Sequence, residues 1–251
     1  MKKDIKILIS RWVFQVIDPI KIVKSIPRFV SFFSDWYKYS RMPEAEPIRI
    51  TDTYPCIFDK TETTNFDSHY FYQDIWAFKK IYESKVNNHI DIGSRIDFVG
   101  FLTSITNITF VDIRPLVTNL EDFSPIKASI LSLPFEDNSI ASLSCLHVAE
   151  HIGLGRYGDP LDPEGTYKAC KELQRVLAKD GDLYFSLPVG IPKLFFNAHR
   201  IHSPQQILDY FNKLRLIEFS IVDDQGQFKK NVEISLVKDC SYAAGLFWFK
   251  K

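Results

Sequence analysis

The stretch HIDIGSRIDFVG, residues 89–100, joins an apolar strand to a helix through a turn that contains a single glycine. In an α/β sheet such a turn faces the ligand, because ligands bind beyond the carboxyl ends of the strands. Arg95 and Asp97 stand where a GxGxxG loop would have further glycines. The turn therefore lacks the glycines that let the backbone of a dinucleotide-binding fold approach the pyrophosphate closely. Their absence disfavours NAD as the cofactor.

Strand-like and helix-like segments alternate on both sides of this stretch. Their alternation predicts an α/β, Rossmann-like, mostly parallel sheet with helices on both faces. The predicted strands are 88–93, 107–113, 126–131, 139–148, 182–189, 216–222 and 245–250. The predicted helices are 68–85, 97–105, 164–181, which Gly181 stops, and 203–213, which Ser203 caps.

The first 55 residues are predicted to form an N-terminal helical arm and a linker, and residues 56–251 the main domain. Apolar residues at helical spacing with Lys and Arg between them predict helices in residues 1–40, which Pro19 and Pro27 should break into short pieces. The arm either packs on the domain or on a second subunit of a homodimer, or lies on an anionic membrane. Three aspartates reduce the positive charge of the arm, which favours packing on protein over binding to a membrane.

Composition limits the class of protein. The chain is 45% hydrophobic and 25% charged, as expected of a soluble globular protein, and its 31 basic and 31 acidic residues balance. This balance argues against a nucleic-acid partner that binds a broad basic field. The four cysteines are far apart, which indicates neither a zinc site nor a disulfide framework and favours a cytoplasmic location. No run has the length of a transmembrane segment.

Asp112 ends the second predicted strand, about 20 residues after Asp91, the separation expected for an acid that binds a ribose. S-adenosylmethionine has no phosphates, so one glycine at position 93 can suffice for close backbone approach. Arg95 either reaches the carboxylate of its methionine part or pairs with Asp97 in solvent. The residues alone leave these alternatives open.

Four segments, in order, resemble class I S-adenosylmethionine-dependent methyltransferases: DIGS, VDI, LPFEDNSIASLSCLHVAEHI and ELQRVLAKDGDLYFSLP, within residues 89–189. The resemblance implies a seven-stranded sheet whose last strand is antiparallel, S-adenosylmethionine as cofactor and methyltransferase activity. Segments such as GRYGDPLDPEGTYKACKELQRVL and FNAHRIHSPQQIL also resemble an uncharacterised bacterial branch over residues 55–251. That branch is a domain of unknown function associated with surface-polysaccharide biosynthesis.

The predicted cofactor site combines this turn with the next strand ends and a helical cover. Its residues are Asp91, Gly93, Ser94, Arg95, Asp112, Ile113, Ser129, Ile130, His147, Tyr72 and Gln73. The sequence departs from the family at Ser129, where an acid is usual, and at Ala141, where an aspartate is usual. Because of these departures, the alternative remains that the protein is a catalytically silent member that acts as a partner in a glycan-assembly complex.

The fourth predicted strand ends at CLHVAEHIG, which places His147, Glu150 and His151 where the methyl group and the acceptor should meet. A histidine is the natural base near neutral pH. The alternative is that His147 only lines the pocket while Glu150 and His151 cap a helix. HVAEH is not the HExxH metal motif, and no metal site is predicted.

The segments 153–165 and 196–203 follow the fourth and fifth predicted strands and are expected at the entrance of the same site. They supply the predicted acceptor-binding residues Arg156, Tyr157, Asn197, His199 and Arg200. The alternatives are an ordinary solvated loop for the first segment and helix capping for the second. Together the features predict O-methylation of a small polar acceptor by an S-adenosylmethionine-dependent enzyme, and the resemblance to the polysaccharide-associated branch implies a sugar or sugar phosphate as that acceptor. A different nucleotide-dependent enzyme is the other alternative.

Overall fold

The computed structural model describes residues 18–251. The chain divides into two compact units, one that ends at Asn65 and one that covers Phe66–Lys251. The predicted division lies at residues 55/56. The helices predicted before residue 18 lie outside the described residues.

In the first unit, α1 is a continuous helix, Pro19–Tyr39. The carboxylate of Asp18 caps it by accepting from the backbone N–H of Lys21 at 2.9 Å, and Pro19 occupies the first turn. The prediction that Pro27 breaks this helix is wrong. Pro27 and Val23 are both exposed, so water can solvate the carbonyl that the missing proline N–H leaves free. After it, the 3₁₀ turn Ile50–Asp52 is the regular element of the predicted linker.

The second unit is built on a mixed sheet. Its helices are α2 (Ser68–Ser84), α3 (Ile96–Leu102), α4 (Gly165–Val176) and α5 (Pro204–Tyr210). Its strands are β1 (Asn88–Ile92), β2 (Asn107–Asp112), β3 (Phe123–Lys127), β4 (Ile140–Leu146), β5 (Leu177–Val189), β6 (Lys193–Phe195), β7 (His199–Ile201), β8 (Arg215–Val222), β9 (Phe228–Lys229) and β10 (Ala243–Lys250).

The main sheet has the order β3-β2-β1-β4-β5-β10-β8-β9. Strands β1 to β5 pair in parallel, whereas β10 lies antiparallel between β5 and β8. The mostly parallel sheet with an antiparallel last strand confirms the predicted architecture. The expected seven strands are wrong by one, because β9 adds a two-residue pairing at the edge of β8. A separate hairpin of β6 and β7 follows β5.

Helices cover both faces of the sheet, because alternate strand residues enter different cores. Leu183, Phe185 and Leu187 of β5 join the core that contains α4 and α5. Tyr184, between them in sequence, joins the core that contains α2 and α3. The two cores hold the parallel strand ends in place.

Several element boundaries differ from the prediction by a few residues, and two of the differences have a clear local cause. The helix predicted over 164–181 ends at Val176, and Gly181 lies within β5, where a Cβ would come within 2.9 Å of the Ile140 carbonyl oxygen. Gly181 therefore permits a close strand approach instead of ending a helix. The third strand is also earlier than the predicted 126–131, because a turn at Ser129, closed by the Ser132 N–H, ends its pairing.

Within residues 18–251, no helix combines the length and the apolar character needed to cross a membrane.

Candidate functional site

A cleft lies at the carboxyl ends of β1, β2 and β4, as the sequence predicts for a parallel sheet. We call it the strand-end cleft, and its volume is about 110 Å³. Its lining residues are Ile92, Gly93, Val111, Asp112, Ile113, Arg114, Ala128, Ser129, Ile130, Leu131, His147, Val148, His151, Ile152, Tyr157, Asp159 and Pro160. Six of the predicted cofactor-binding residues are in this lining.

Gly93 and Asp112 lie side by side in the strand-end cleft. Gly93 has a φ of +67°, which favours glycine, and a Cβ there would lie 3.2 Å from Val148 Cγ1 and 3.5 Å from Asp112 Oδ2. Asp112 Oδ1 accepts from the Arg114 N–H at 2.6 Å. The missing side chain at Gly93 thus leaves room beside a carboxylate oxygen.

Other lining residues of the cleft supply apolar surface and backbone groups. Ile113 and Ile130 line it, and the hydroxyl of Ser129 accepts from the Leu131 N–H at 3.2 Å. Ser129 therefore stabilises its own turn with its side chain. A flat heterocycle could pack between these apolar side chains, with the main chain as its polar partner.

Asp91 and Ser94 are buried and do not line the cleft. Asp91 accepts from the Ser94 N–H at 2.9 Å, from the Ser94 hydroxyl at 2.7 Å and from the Ser144 hydroxyl. Burial raises the pKa of the Asp91 carboxyl to about 6, against the lowering effect of these hydrogen bonds. The side chains of Asp91 and Ser94 therefore connect the turn after β1 to Ser144 and Leu146 of β4.

Arg95 and Tyr72 also lie outside the lining of the cleft. Arg95 forms an ion pair with Asp97 at 3.0 Å, and its guanidinium lies 5.0 Å from the ring centroid of Tyr70. Of the two alternatives that the sequence left open for Arg95, the structure has the ion pair with Asp97. Tyr72 stacks on Phe228 at 5.5 Å between ring centroids.

His147 is buried in the wall of the cleft and has a φ of +54°. Gln73 donates to Asp74 through Nε2, so its Oε1 faces His147 Nδ1 and must accept from it. The hydroxyl of Ser186 lies 3.2 Å from the same nitrogen. Nδ1 therefore carries the proton, and Nε2 presents a lone pair.

The His147 Nε2 atom is buried and has no hydrogen-bond partner within residues 18–251. Burial, with the neighbouring histidines His69, His151 and His199, lowers the pKa of His147 to about 3. The imidazole is therefore neutral at physiological pH. Gln73 orients this ring, and its contact with the cofactor stays a prediction.

Glu150 and His151 lie in the 3₁₀ turn Ala149–His151 directly after β4. Burial raises the pKa of Glu150 to about 8 and lowers that of His151 to about 4. His151 Nδ1 lies 2.6 Å from the Ala198 carbonyl oxygen and donates to it, which leaves Nε2 facing Glu150 Oε1 at 3.6 Å. Glu150 Oε2 is buried without a partner in the described part of the chain.

Sequence reasoning missed the aromatic rings around His147. The rings of His69 and Tyr70 lie 6.0 and 5.4 Å from it, and Tyr242 stacks on His69 at 5.2 Å. His69 and Tyr70 adjoin Gln73 in sequence, which gives a weak signal. Tyr242 directly precedes β10, almost 100 residues after His147, and nothing local points to it.

The predicted acceptor-binding residues hold two segments together. Arg200 donates to the carbonyl oxygens of Ile152 at 2.6 Å and of Asp162 at 3.0 Å. Arg156 donates to the Ala198 carbonyl oxygen at 3.2 Å, and Asn197 to that of Leu154 at 3.4 Å. His199 packs beside Tyr242, with ring centroids 5.0 Å apart.

Tyr157 closes the strand-end cleft from the loop side. The guanidinium of Arg114, after β2, lies 4.4 Å from the Tyr157 ring centroid. Asp159 orders this loop by accepting from the Gly153 N–H at 2.6 Å. Small-molecule sites usually have at least about 300 Å³, and Arg114 and Tyr157 both line this smaller cleft.

No group of three or more His, Cys, Asp or Glu side chains is arranged to hold a metal among residues 18–251.

A family profile described as "Caenorhabditis protein of unknown function, DUF268" matches residues 135–220, about a third of the chain. The match contains β4, the turn with His147 and Glu150, and α4. A search of curated proteins finds no match. The bacterial origin and the polysaccharide association stay predictions.

Solved structures share the fold. The N-methyltransferase NodS of Bradyrhizobium japonicum WM9, in complex with S-adenosyl-L-homocysteine, has a TM-score of 0.52, with 13% identity over 78% of this chain and 91% of NodS. A second NodS structure gives 0.51, with 14% identity over 75% and 99%. A candidate sarcosine dimethylglycine methyltransferase of Galdieria sulphuraria gives 0.51, with 15% identity over 72% and 86%. The chain therefore has the Rossmann-like α/β fold of the S-adenosylmethionine-dependent methyltransferases.

Proposed function

We propose that this protein is a methyltransferase that uses S-adenosylmethionine to methylate an oxygen of a small polar acceptor. The observation that carries the proposal is the meeting of Gly93 and Asp112 on a cleft that His147 also lines. The shared fold supports it, as does the S-adenosyl-L-homocysteine bound in NodS. A sugar or phosphorylated sugar precursor of a bacterial surface glycan is the proposed acceptor, on the family resemblance alone.

The cleft residues fit the parts of this cofactor. Asp112 has a carboxylate oxygen beside Gly93 that can accept from both hydroxyls of a ribose. Ile113 and Ile130 offer apolar surface for adenine, and the main chain at Ser129 its polar partner. When bound, the cofactor supplies a methyl group activated by its sulfonium.

His147 is the proposed proton acceptor. As the acceptor oxygen bonds to the methyl carbon, the carbon–sulfur bond breaks and the hydroxyl proton must leave. Nε2 has a free lone pair, and Gln73 and Ser186 fix the ring from its other nitrogen. The low pKa of His147 keeps this lone pair available at neutral pH.

Glu150 and His151 are proposed to assist at the same place. With its pKa raised to about 8, Glu150 is protonated at neutral pH and can donate a hydrogen bond, whereas His151 Nε2 can accept one. Acceptor contacts are proposed for Arg156, Tyr157 and His199, and for the rings of Tyr70 and Tyr242. Asn197 and Arg200 donate to loop carbonyls, and their contacts with the acceptor stay predictions.

The first test is cofactor binding by isothermal titration calorimetry. The wild type should bind S-adenosylmethionine and S-adenosyl-L-homocysteine, and not NAD. Asp112→Ala should raise the Kd about 10- to 100-fold, the loss expected when hydrogen bonds to a charged group are removed. Asp239→Ala, an exposed aspartate outside the cleft, should leave the Kd unchanged. No heat with either ligand would overturn the enzyme proposal and leave the fold standing.

The second test is methyl transfer. The protein is incubated with labelled cofactor and extracted nucleotide-sugar pools, and products are identified by mass spectrometry. A methylated sugar that disappears in Asp112→Ala supports the proposed acceptor. Cofactor binding with no product from any sugar pool would contradict the sugar acceptor.

A further inference from the structure

We propose that α1 is a membrane-surface helix that binds bilayers containing anionic lipids through one apolar face. This inference is independent of methyl transfer. It concerns the first unit alone.

The apolar face of α1 is continuous and exposed. At 100° per residue, its side chains occupy one arc of the helix, and their exposed fractions lie between 39% and 67%. The residues are Ile22, Val23, Ile26, Phe29, Val30, Phe33 and Tyr37. No residue of the helix is buried.

A helix in this state needs a partner. Most helices in proteins are stabilised by burying an amphipathic face, and isolated helices are marginal in water. The internal Pro27 adds a further cost. The remainder of the first unit contacts another side of the helix, where Phe58 packs under Arg28 at 4.7 Å. Among the described residues of the first unit, the apolar face is therefore left exposed.

Charge favours an anionic lipid surface as that partner. The helix has four basic side chains, Lys21, Lys24, Arg28 and Lys38, and one acidic side chain, Asp35. Residues 1–40 contain eight basic and three acidic residues, a net charge of +5 in a chain whose total is zero. A basic polar face opposite an apolar face with aromatic residues is the pattern of interfacial helices.

Length favours a surface over a groove on a second copy. An apolar groove of about 690 Å³ lies beside α2 and α3, lined along α2 from Phe71 to Lys79. With Asp67, the N-cap of α2, the lining spans about 18 Å along the helix, whereas the apolar face of α1 from Ile22 to Tyr37 extends for about 22 Å. A groove of this length would leave part of the apolar face exposed, and a bilayer surface would cover it all.

Vesicle flotation of the full chain at 100 mM NaCl tests the proposal. Wild-type protein should float with vesicles of phosphatidylcholine and phosphatidylglycerol at 7:3 and remain unbound with phosphatidylcholine alone. The double variant Val30→Glu/Phe33→Glu should bind more than tenfold more weakly, because two buried side chains are lost from the lipid. The matched control is Val117→Glu/Phe101→Glu, two exposed residues of the other unit, which should float like wild type.

A charge variant provides a second measurement. Lys24→Gln should lower vesicle binding about fivefold, whereas Lys179→Gln, exposed elsewhere, should not. Failure of the wild type to float with the anionic vesicles would overturn the proposal. So would full flotation of Val30→Glu/Phe33→Glu, or a wild-type dimer in sedimentation equilibrium that this double variant dissociates.

Discussion

Two buried polar clusters lie at neighbouring strands of the sheet, and they differ in how completely their atoms are paired. In the β1 cluster, His89 lies 2.8 Å from both the Ser142 and Ser144 hydroxyls, and Asp91 accepts from Ser94 and Ser144. In the β4 cluster, His147 Nε2 and Glu150 Oε2 have no partner among residues 18–251.

The difference separates structure from chemistry. Buried polar atoms are nearly always hydrogen-bonded, so an unpaired one needs an explanation. The β1 cluster is self-sufficient and fixes the turn that carries Gly93. The β4 cluster is incomplete, which is the state expected of groups that wait for a ligand.

The largest effect is expected from a substitution in the β4 cluster. His147→Asn removes the proposed proton acceptor while keeping a residue that tolerates positive φ. Methyl transfer, measured by product formation under saturating cofactor, should fall about 100-fold or more. His89→Asn is the control from the β1 cluster and should lower stability but not the rate per folded molecule. Equal rates for wild type and His147→Asn would remove His147 from the chemistry.

Asp91→Ala breaks the β1 side. It leaves the buried hydroxyls of Ser94 and Ser144 without their acceptor, so the free energy of unfolding in urea should fall by about 3 kcal/mol. Asp112, partly exposed, is the matched control, and Asp112→Ala should cost about 1 kcal/mol or less. If Asp91→Ala were as stable as wild type, the β1 cluster would not be structural.

The pH dependence of stability sharpens the comparison at Glu150. Its pKa in the folded state, about 8, is raised above the usual 4.5, so its stabilising contribution is complete below pH 4.5 and is lost as pH rises through 8. Between pH 6 and 8 wild type should therefore lose about 2 kcal/mol relative to Glu150→Gln. Urea unfolding of both proteins at each pH measures this difference. Parallel pH curves for the two proteins would show that Glu150 is already ionised at pH 6.

The smallest effect concerns the cover of the cleft. Tyr157→Ala removes the ring that lies against Arg114, so stopped-flow association of S-adenosylmethionine should become about threefold faster, as for a weak cation–π contact. Tyr167→Ala, a partly exposed tyrosine on α4, serves as control. An unchanged rate for Tyr157→Ala would mean that this contact does not limit entry.

The sequence predicted the sheet because periodicity and strand-end residues are local signals. Gly93 and Asp112 were found in this way, since the carboxyl ends of adjacent parallel strands must meet. Gln73 and Arg200 bind His147 and loop carbonyls, contacts that the sequence did not predict. Such pairings depend on segments far apart in the chain. Tyr242 was missed for the same reason.

The backbone at His147 has a consequence for engineering. An imidazole-bearing residue at φ +54° costs about 1 kcal/mol relative to glycine, which adopts this conformation freely. A library screened only for heat resistance should therefore enrich glycine or asparagine at this position. Such variants would tolerate heat better but would lack the imidazole of His147. A screen for heat resistance should therefore be combined with a screen for methyltransferase activity.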